Sequence, residues 1–302
     1  MSKKITPKFL IIGVVAVLIT IALVLAIVLF RPSVTVGIFG LGKESEQALR
    51  LQQLLEDNGY KVYHAETLDD LSNAECKAWV VQSTSDIFAE KILERVGDKA
   101  VFINSKPSPA QSIRYVGIRM EEAGSLMAKL LSDLPNNGDT NEDGTVSCLL
   151  LTAPEGYKER ADWERGLYAG LSEILLNCVV LDVLESSLDK DAAAAATLES
   201  LSAYGRDIEV IMASSEVLAA GAAEAVKQGG WEISQDLYLL TTGHTDYSMT
   251  ALTERQYSGL VFADRESLDD LMLTAIKDAI NGKAPQDYLL PLKSYHNAAP
   301  IY

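Results

Sequence analysis

The segment Asp139-Thr-Asn141-Glu-Asp143-Gly144-Thr145-Val-Ser147 carries the densest chemistry in the chain. It sets side-chain oxygens at its first, third, fifth and ninth positions (Asp139, Asn141, Asp143, Ser147), a glycine at the sixth and the backbone carbonyl of Thr145 at the seventh. A cation of calcium size takes about six to eight oxygens, and this spacing wraps one round a turn that only glycine tolerates at its tightest point. Position twelve is Leu150, so the bidentate glutamate that completes an EF-hand is absent. The ion expected here is structural, neutralising clustered carboxylates and pinning the loop.

Other constellations are missing. His64, His244 and His296 lie far apart, with no H-x-x-x-H or G-x-S-x-G pattern near them, so no enzyme is expected. The stretch FGLGKES (39 to 45) follows a strand and precedes a helix, but Ser45 stands where the third glycine of a dinucleotide loop belongs. It reads as an ordinary tight turn. Cys76, Cys148 and Cys178 are an odd number and make no disulfide framework; Cys148 and Cys178, in successive strand-like runs, read as small core residues.

The elements that must position these groups alternate. Short β-rich runs occur at 34–39, 61–65, 78–83, 100–105, 114–118, 146–151, 178–184, 208–214, 237–242 and 259–263, with amphipathic helical stretches such as 45–59 and 215–230 between them. This βαβα rhythm predicts α/β architecture with parallel sheets covered by helices on both faces. Ten strands are too many for one small sheet, and the polar, turn-rich break LPNNGDTNEDG (134 to 144) falls between two βα sets. Two lobes follow. Open parallel sheets bind ligands beyond the carboxyl ends of their strands, which here carry Gln82, Asn104, Ser214, Ser215, Thr242, His244, Asp264 and Arg265.

The N-terminus decides the expected compartment. Residues 9–30 read FLIIGVVAVLITIALVLAIVLF without a charge, and roughly 20 such residues cross a bilayer as a helix. Lys3, Lys4 and Lys8 precede the run, placing 1–8 in the cytoplasm and the main part outside the cell or in the periplasm. The net charge is −16, and the part beyond Arg31 carries −20 from 22 basic and 42 acidic residues. Such a body lacks the cationic footprint that nucleic acid requires.

The order of elements, with VFINSKPS and RYVGIRMEEAG (101 to 124), GDTNEDGTVSCLLLTAPEG (138 to 156), RGLYAGLSE (165 to 173) and YSGLVFADRESLDDLMLTAIKDAINGK (257 to 283), resembles the type I periplasmic binding proteins. Among them it is most similar to the galactose/glucose-binding sugar receptors, over nearly all of 33–302. The resemblance implies two Rossmann-like lobes, one from 33–117 plus 264–291 and a second from 118–263 plus 292–302, joined by three crossings near Ile118, Ala263 and Leu292 and closing on a small polar solute. It implies calcium at the 139–147 loop with a remote carboxylate, for which Asp182 or Glu185 is expected. It implies that Arg165 holds ring hydroxyls, with Tyr157 or Trp163 offering a stacking face. It also implies a partner, an ABC permease or a membrane receptor.

The receptor pattern is eroded elsewhere. Ser215-Glu216 replaces an Asn-Asp pair, Gly243-His244 replaces Gly-x-Asp, Ala263-Asp264 replaces Asn-Asp, and Arg119 stands where an aspartate is usual. A site built to pair hydroxyls loses heavily when partners go, so galactose specificity does not carry over. The erosion also supports an alternative, a ligand-free interaction module of the cell envelope, which a cleft filled by large apolar side chains would favour.

Overall fold

Alternation along VSCLLLT sets how the second half is built. In β6 (Val146–Thr152) the residues Val146, Cys148 and Leu150 enter one apolar core and Leu149 and Leu151 another, on the opposite face of the sheet. A strand apolar on both faces needs cover on both, which is the position of a parallel strand between helical layers. The computed structural model describes residues 34–297 except 74, 84, 105, 109–111, 156 and 175–176. The apolar run 9–30 lies outside the described residues, and no described helix is long and apolar enough to cross a membrane.

The first sheet contains β1 (Thr35–Phe39), β2 (Lys61–Ala65), β3 (Cys76–Val81), β4 (Ala100–Ile103), β5 (Arg114–Gly117) and β11 (Asp287–Leu289), in the order β11-β5-β4-β3-β1-β2. The second contains β6, β7 (Cys178–Glu185), β8 (Val210–Ala213), β9 (Tyr238–Gly243), β10 (Gly259–Ala263) and β12 (Leu292–His296), in the order β12-β10-β9-β8-β6-β7. Every pairing is parallel except β10 with β12. The architecture is therefore α/β in two lobes of mainly parallel sheet. The chain passes between the sheets after Gly117, after Ala263 and between Leu289 and Leu292.

Helices α1 (Glu46–Asp57) and α2 (Asp86–Val96) cover the first sheet, one on each face. Helices α3 (Met120–Ser132) and α4 (Lys158–Glu173) cover one face of the second sheet. Its other face carries α5 (Lys190–Tyr204), α6 (Glu216–Gln228) and α7 (Asp246–Thr253). After the second crossing α8 (Arg265–Ile280) returns to the first lobe, where Met272, Ala275 and Ile276 join Val80 and Val116 in its core. The α3–α4 pair is unusually close. A Cβ on Gly166 would lie 1.9 Å from the Glu121 carbonyl oxygen, and one on Gly124 would lie 2.1 Å from that of Trp163. Only glycine lets these two backbones meet.

Two strands were not expected from the sequence. DYL and LKSYH are short and half polar, so their patterning is weak, yet β11 and β12 extend the two sheets along β5 and β10.

Candidate functional site

A cavity of about 880 Å³ opens between the lobes, lined from both sides by residues just past the carboxyl ends of the strands. Its first-lobe rim begins at Gly40, whose φ of +82° turns the chain after β1 and whose missing Cβ would sit 2.3 Å from the Gln82 carbonyl oxygen. The Gln82 amide donates to Phe39 O at 3.0 Å, so the end of β3 is fixed against that turn. Asn104 follows β4 with φ of +63°, a left-handed conformation that asparagine tolerates better than most residues. Gln47 Nε2 donates to Asn104 Oδ1 at 2.8 Å, and Asn104 Nδ2 donates to Gln47 Oε1 at 3.0 Å and to Gln82 Oε1 at 3.1 Å. Three primary amides carry six N–H donors, and these bonds use three. The rim keeps neutral hydrogen-bonding capacity toward the cavity.

The second-lobe rim is built from hydroxyls at helix starts. Ser215 caps α6, its Oγ facing Leu218 N at 3.5 Å, and Ser214 beside it is buried. Thr242, at the end of β9, is only 4% exposed and its Oγ1 has no hydrogen-bond partner among the described residues. A buried hydroxyl without a partner costs free energy unless a ligand or water satisfies it. His244 lies exposed on the same rim, its amide donating to Glu216 Oε2 at 3.4 Å. That carboxylate also accepts from Thr245 Oγ1 at 2.8 Å and from Ser248 Oγ, tying α6 to α7. Asp264 sits at the second crossing and accepts from Ser267 Oγ at 2.9 Å.

Cations at the cavity are already committed. Lys106 pairs with Asp287, Lys158 with Asp162, and Arg160 donates to Glu164 Oε1 at 2.7 Å and to Glu185 Oε1 at 2.5 Å. The Glu185 hydrogen bond raises the Arg160 pKa further and lowers that of Glu185. Tyr157 and the His244 imidazole are the aromatic rings lining the cavity among the described residues. The remaining surface is aliphatic and sulfur-bearing, including Ile103, Val116, Met120 and Met272.

This two-lobed cleft agrees with a comparison by family. A model described as a periplasmic binding protein domain matches residues 57–284. The chain belongs to that family. None of the curated proteins compared with it matches in sequence. Its fold is similar to that of GanP, a glucose-galactose binding protein from Geobacillus stearothermophilus, at 14% identity and TM-score 0.71 over 88% of this chain and 98% of that one. An ABC transporter periplasmic solute binding protein from Actinobacillus succinogenes with bound D-allose is similar at 16% identity and TM-score 0.68, over 87% of this chain and 97% of that one. A chain of the XylFII-LytSN complex is similar at 15% identity and TM-score 0.70, over 88% and 98%. At such identities the likeness is one of fold.

Within this binding-protein fold the expected residues separate. Gln82, Asn104, Tyr157, Ser215, His244 and Asp264 all line the cavity. Arg165 does not: it points away, donating to both oxygens of Glu121 at 3.2 and 3.3 Å and to Asp162 Oδ1 at 2.5 Å. Five residues are about 140° of helical rotation, so Arg160 and Arg165 occupy different faces of α4, and Arg160 has the cleft. Trp163 is fully buried in the α3–α4 core.

The 139–147 loop departs from expectation at its remote acid. Asp182 is an exposed residue of β7 whose Oδ1 accepts its neighbour Val183 N. The sheet order puts β8 on the other flank of β6, and Glu209, just before β8, reaches the loop instead. Fully buried, it accepts from Thr140 N at 2.7 Å, Asn141 N at 3.1 Å, Thr140 Oγ1 at 3.0 Å and Ser147 N at 2.8 Å. Asp139, Asn141 and Asp143 each accept a loop amide, at 2.8, 2.9 and 2.8 Å. Asn177 Nδ2 donates to Thr145 Oγ1 at 2.7 Å. No three His, Cys, Asp or Glu side chains gather as a metal cage among the described residues. Asp139 Oδ1, however, is buried without a hydrogen-bond partner. That orphaned oxygen, in a loop whose other donors include an amide and a carbonyl, fits a hard cation.

Proposed function

We propose that the protein is a non-enzymatic, membrane-anchored solute receptor that closes its two lobes on a small, uncharged, hydroxyl-rich molecule of the sugar class. The carrying observation is the open cavity of about 880 Å³ whose rims offer amides, hydroxyls and the carboxylates of Glu159 and Asp264, while its cations are already paired. Similar folds include a glucose-galactose binding protein and one with bound D-allose, which supports the same class. The open cleft, not filled by side chains, speaks against the alternative of a ligand-free module. Binding energy that draws both rims together is available only in a closed form, so the solute shifts the population toward closure at the three crossings. With 9–30 as anchor, the closed form presents its bound solute outside the membrane to an ABC permease or a membrane receptor.

Calorimetric titration with neutral monosaccharides tests this reading, alongside melting temperature. A bound sugar at a hundred times its dissociation constant adds about 2.7 kcal/mol of stability. No heat and no melting shift across pentoses, hexoses and furanose forms would sink the sugar assignment.

The loop belongs to the same proposal: calcium held by Asp139, Asn141, Asp143 and the Thr145 carbonyl, with Ser147 at the loop's end and Glu209 in place of Asp182. Its role is to neutralise carboxylates beneath the second lobe's sheet. A chelator is expected to lower the melting temperature and calcium to restore it.

A further inference from the structure

Cys148 and Cys178 meet in the second lobe, their sulfurs 3.1 Å apart. Cys148 is fully buried in β6, and Cys178 opens β7, which is the edge strand of its sheet. Both side chains lie on the α3–α4 face. In register Val146 faces Cys178 and Cys148 faces Val180, so the pair is diagonal, with an irregularity just after Cys148. A covalent S–S bond is about 2.0 Å long, so roughly 1 Å of closure is needed. An edge strand, free of a partner on its outer side, can supply that movement. Cys76 is buried in the other lobe, which leaves one partner for each of the two.

We propose that Cys148 and Cys178 form a disulfide that staples edge strand β7 to β6. The chemistry is thiol–disulfide exchange with an external small disulfide. Cys178, the more exposed thiol, attacks as thiolate, forming an S–S bond to one half of the oxidant and releasing the other half as a thiol. Cys148 then gives up its proton and attacks Cys178 Sγ, expelling the second half as a thiol. Two protein thiols are oxidised and one external disulfide is reduced to two thiols. Cys178 is half-buried where Cys148 is fully buried, which fits Cys178 as the first nucleophile. The staple ties the strand that carries Glu185, partner of Arg160 in the cleft, and follows Asn177, which holds the 139–147 loop.

The full-length protein is incubated with oxidised glutathione, denatured, alkylated and weighed. One alkyl group, on Cys76, together with a cross-linked 148–178 peptide is expected, and a melting temperature roughly 5–10 °C above that of the dithiothreitol-treated protein. Cys178→Ser should take two alkyl groups and melt alike in both states. Three alkyl groups after oxidation, a lasting glutathione adduct on Cys178, or a covalent dimer through Cys178 would each overturn the proposal. Because the peptide map is read on the unmodified sequence, a poorly folded variant does not leave the question open.

Discussion

Arg160 and Arg165 are five residues apart on one helix and have different tasks. Arg165 is 55% exposed and spends its guanidinium on Glu121 and Asp162, whereas Arg160 is 14% exposed beside the cleft. Exposed ion pairs of the first kind contribute roughly 0–1 kcal/mol. Arg165→Ala is therefore expected to change solute affinity less than two-fold and to leave the melting temperature nearly unchanged. Gln82 is the opposite case, an amide at the rim with donors unspent. Removing one partner of a buried hydrogen bond costs about 1–3 kcal/mol, so Gln82→Ala should weaken the solute about 5- to 100-fold in a calorimetric titration. Equal losses in the two variants would show that the solute does not bind in the cleft. Gln82, Asn104, Ser215, His244 and Asp264 were legible as cavity-lining residues because strand ends are readable from β-rich runs. The arginine was not, because a motif gives a position along a helix and leaves its facing to packing.

At the level of elements, ten strands and the main helices followed from periodicity, while β11 and β12 were hidden by sequences that alternate poorly and owe their strand form to β5 and β10. Glu209 escaped for a related reason. The resemblance implies an acid in the next strand region, which is β7, but β6 has two flanks and the second belongs to β8. The α3–α4 contact could not be seen either, since glycines at 124 and 166 read alone as helix-weakening residues. Their use is backbone approach, and it makes a prediction against propensity. Gly166→Ala, which should favour an isolated helix, forces a Cβ against the Glu121 carbonyl. Overpacking of this kind costs about 1–3 kcal/mol, and thermal denaturation should fall accordingly. A stabilised variant would mean that α3 and α4 separate freely.

For the whole molecule, acidity and ion pairing act in opposite directions as pH falls. The net charge of −16 makes the native state repel itself near neutrality, and partial protonation relieves that repulsion. Against this stand carboxyl groups whose native pKa lies below the ordinary range: Glu121 through its hydrogen bond from Arg165, Glu185 through Arg160, and Asp278 through Lys283 and Tyr288. A carboxyl with a depressed folded pKa contributes stability above its unfolded value, about 3.9 for Asp and 4.3 for Glu, and loses it as pH drops toward the folded value. The two trends give a melting temperature that rises modestly from pH 8 toward about pH 5 and drops below about pH 4. Added salt should raise the neutral-pH value by screening repulsion and should weaken the exposed pairs. Asp278→Asn removes one of the depressed groups, so its melting curve against pH should be less steep on the acid side while its neutral-pH value falls. A melting temperature that keeps rising down to pH 3 in the unmodified protein would mean that self-repulsion, and not these pairs, governs how the two lobes hold together.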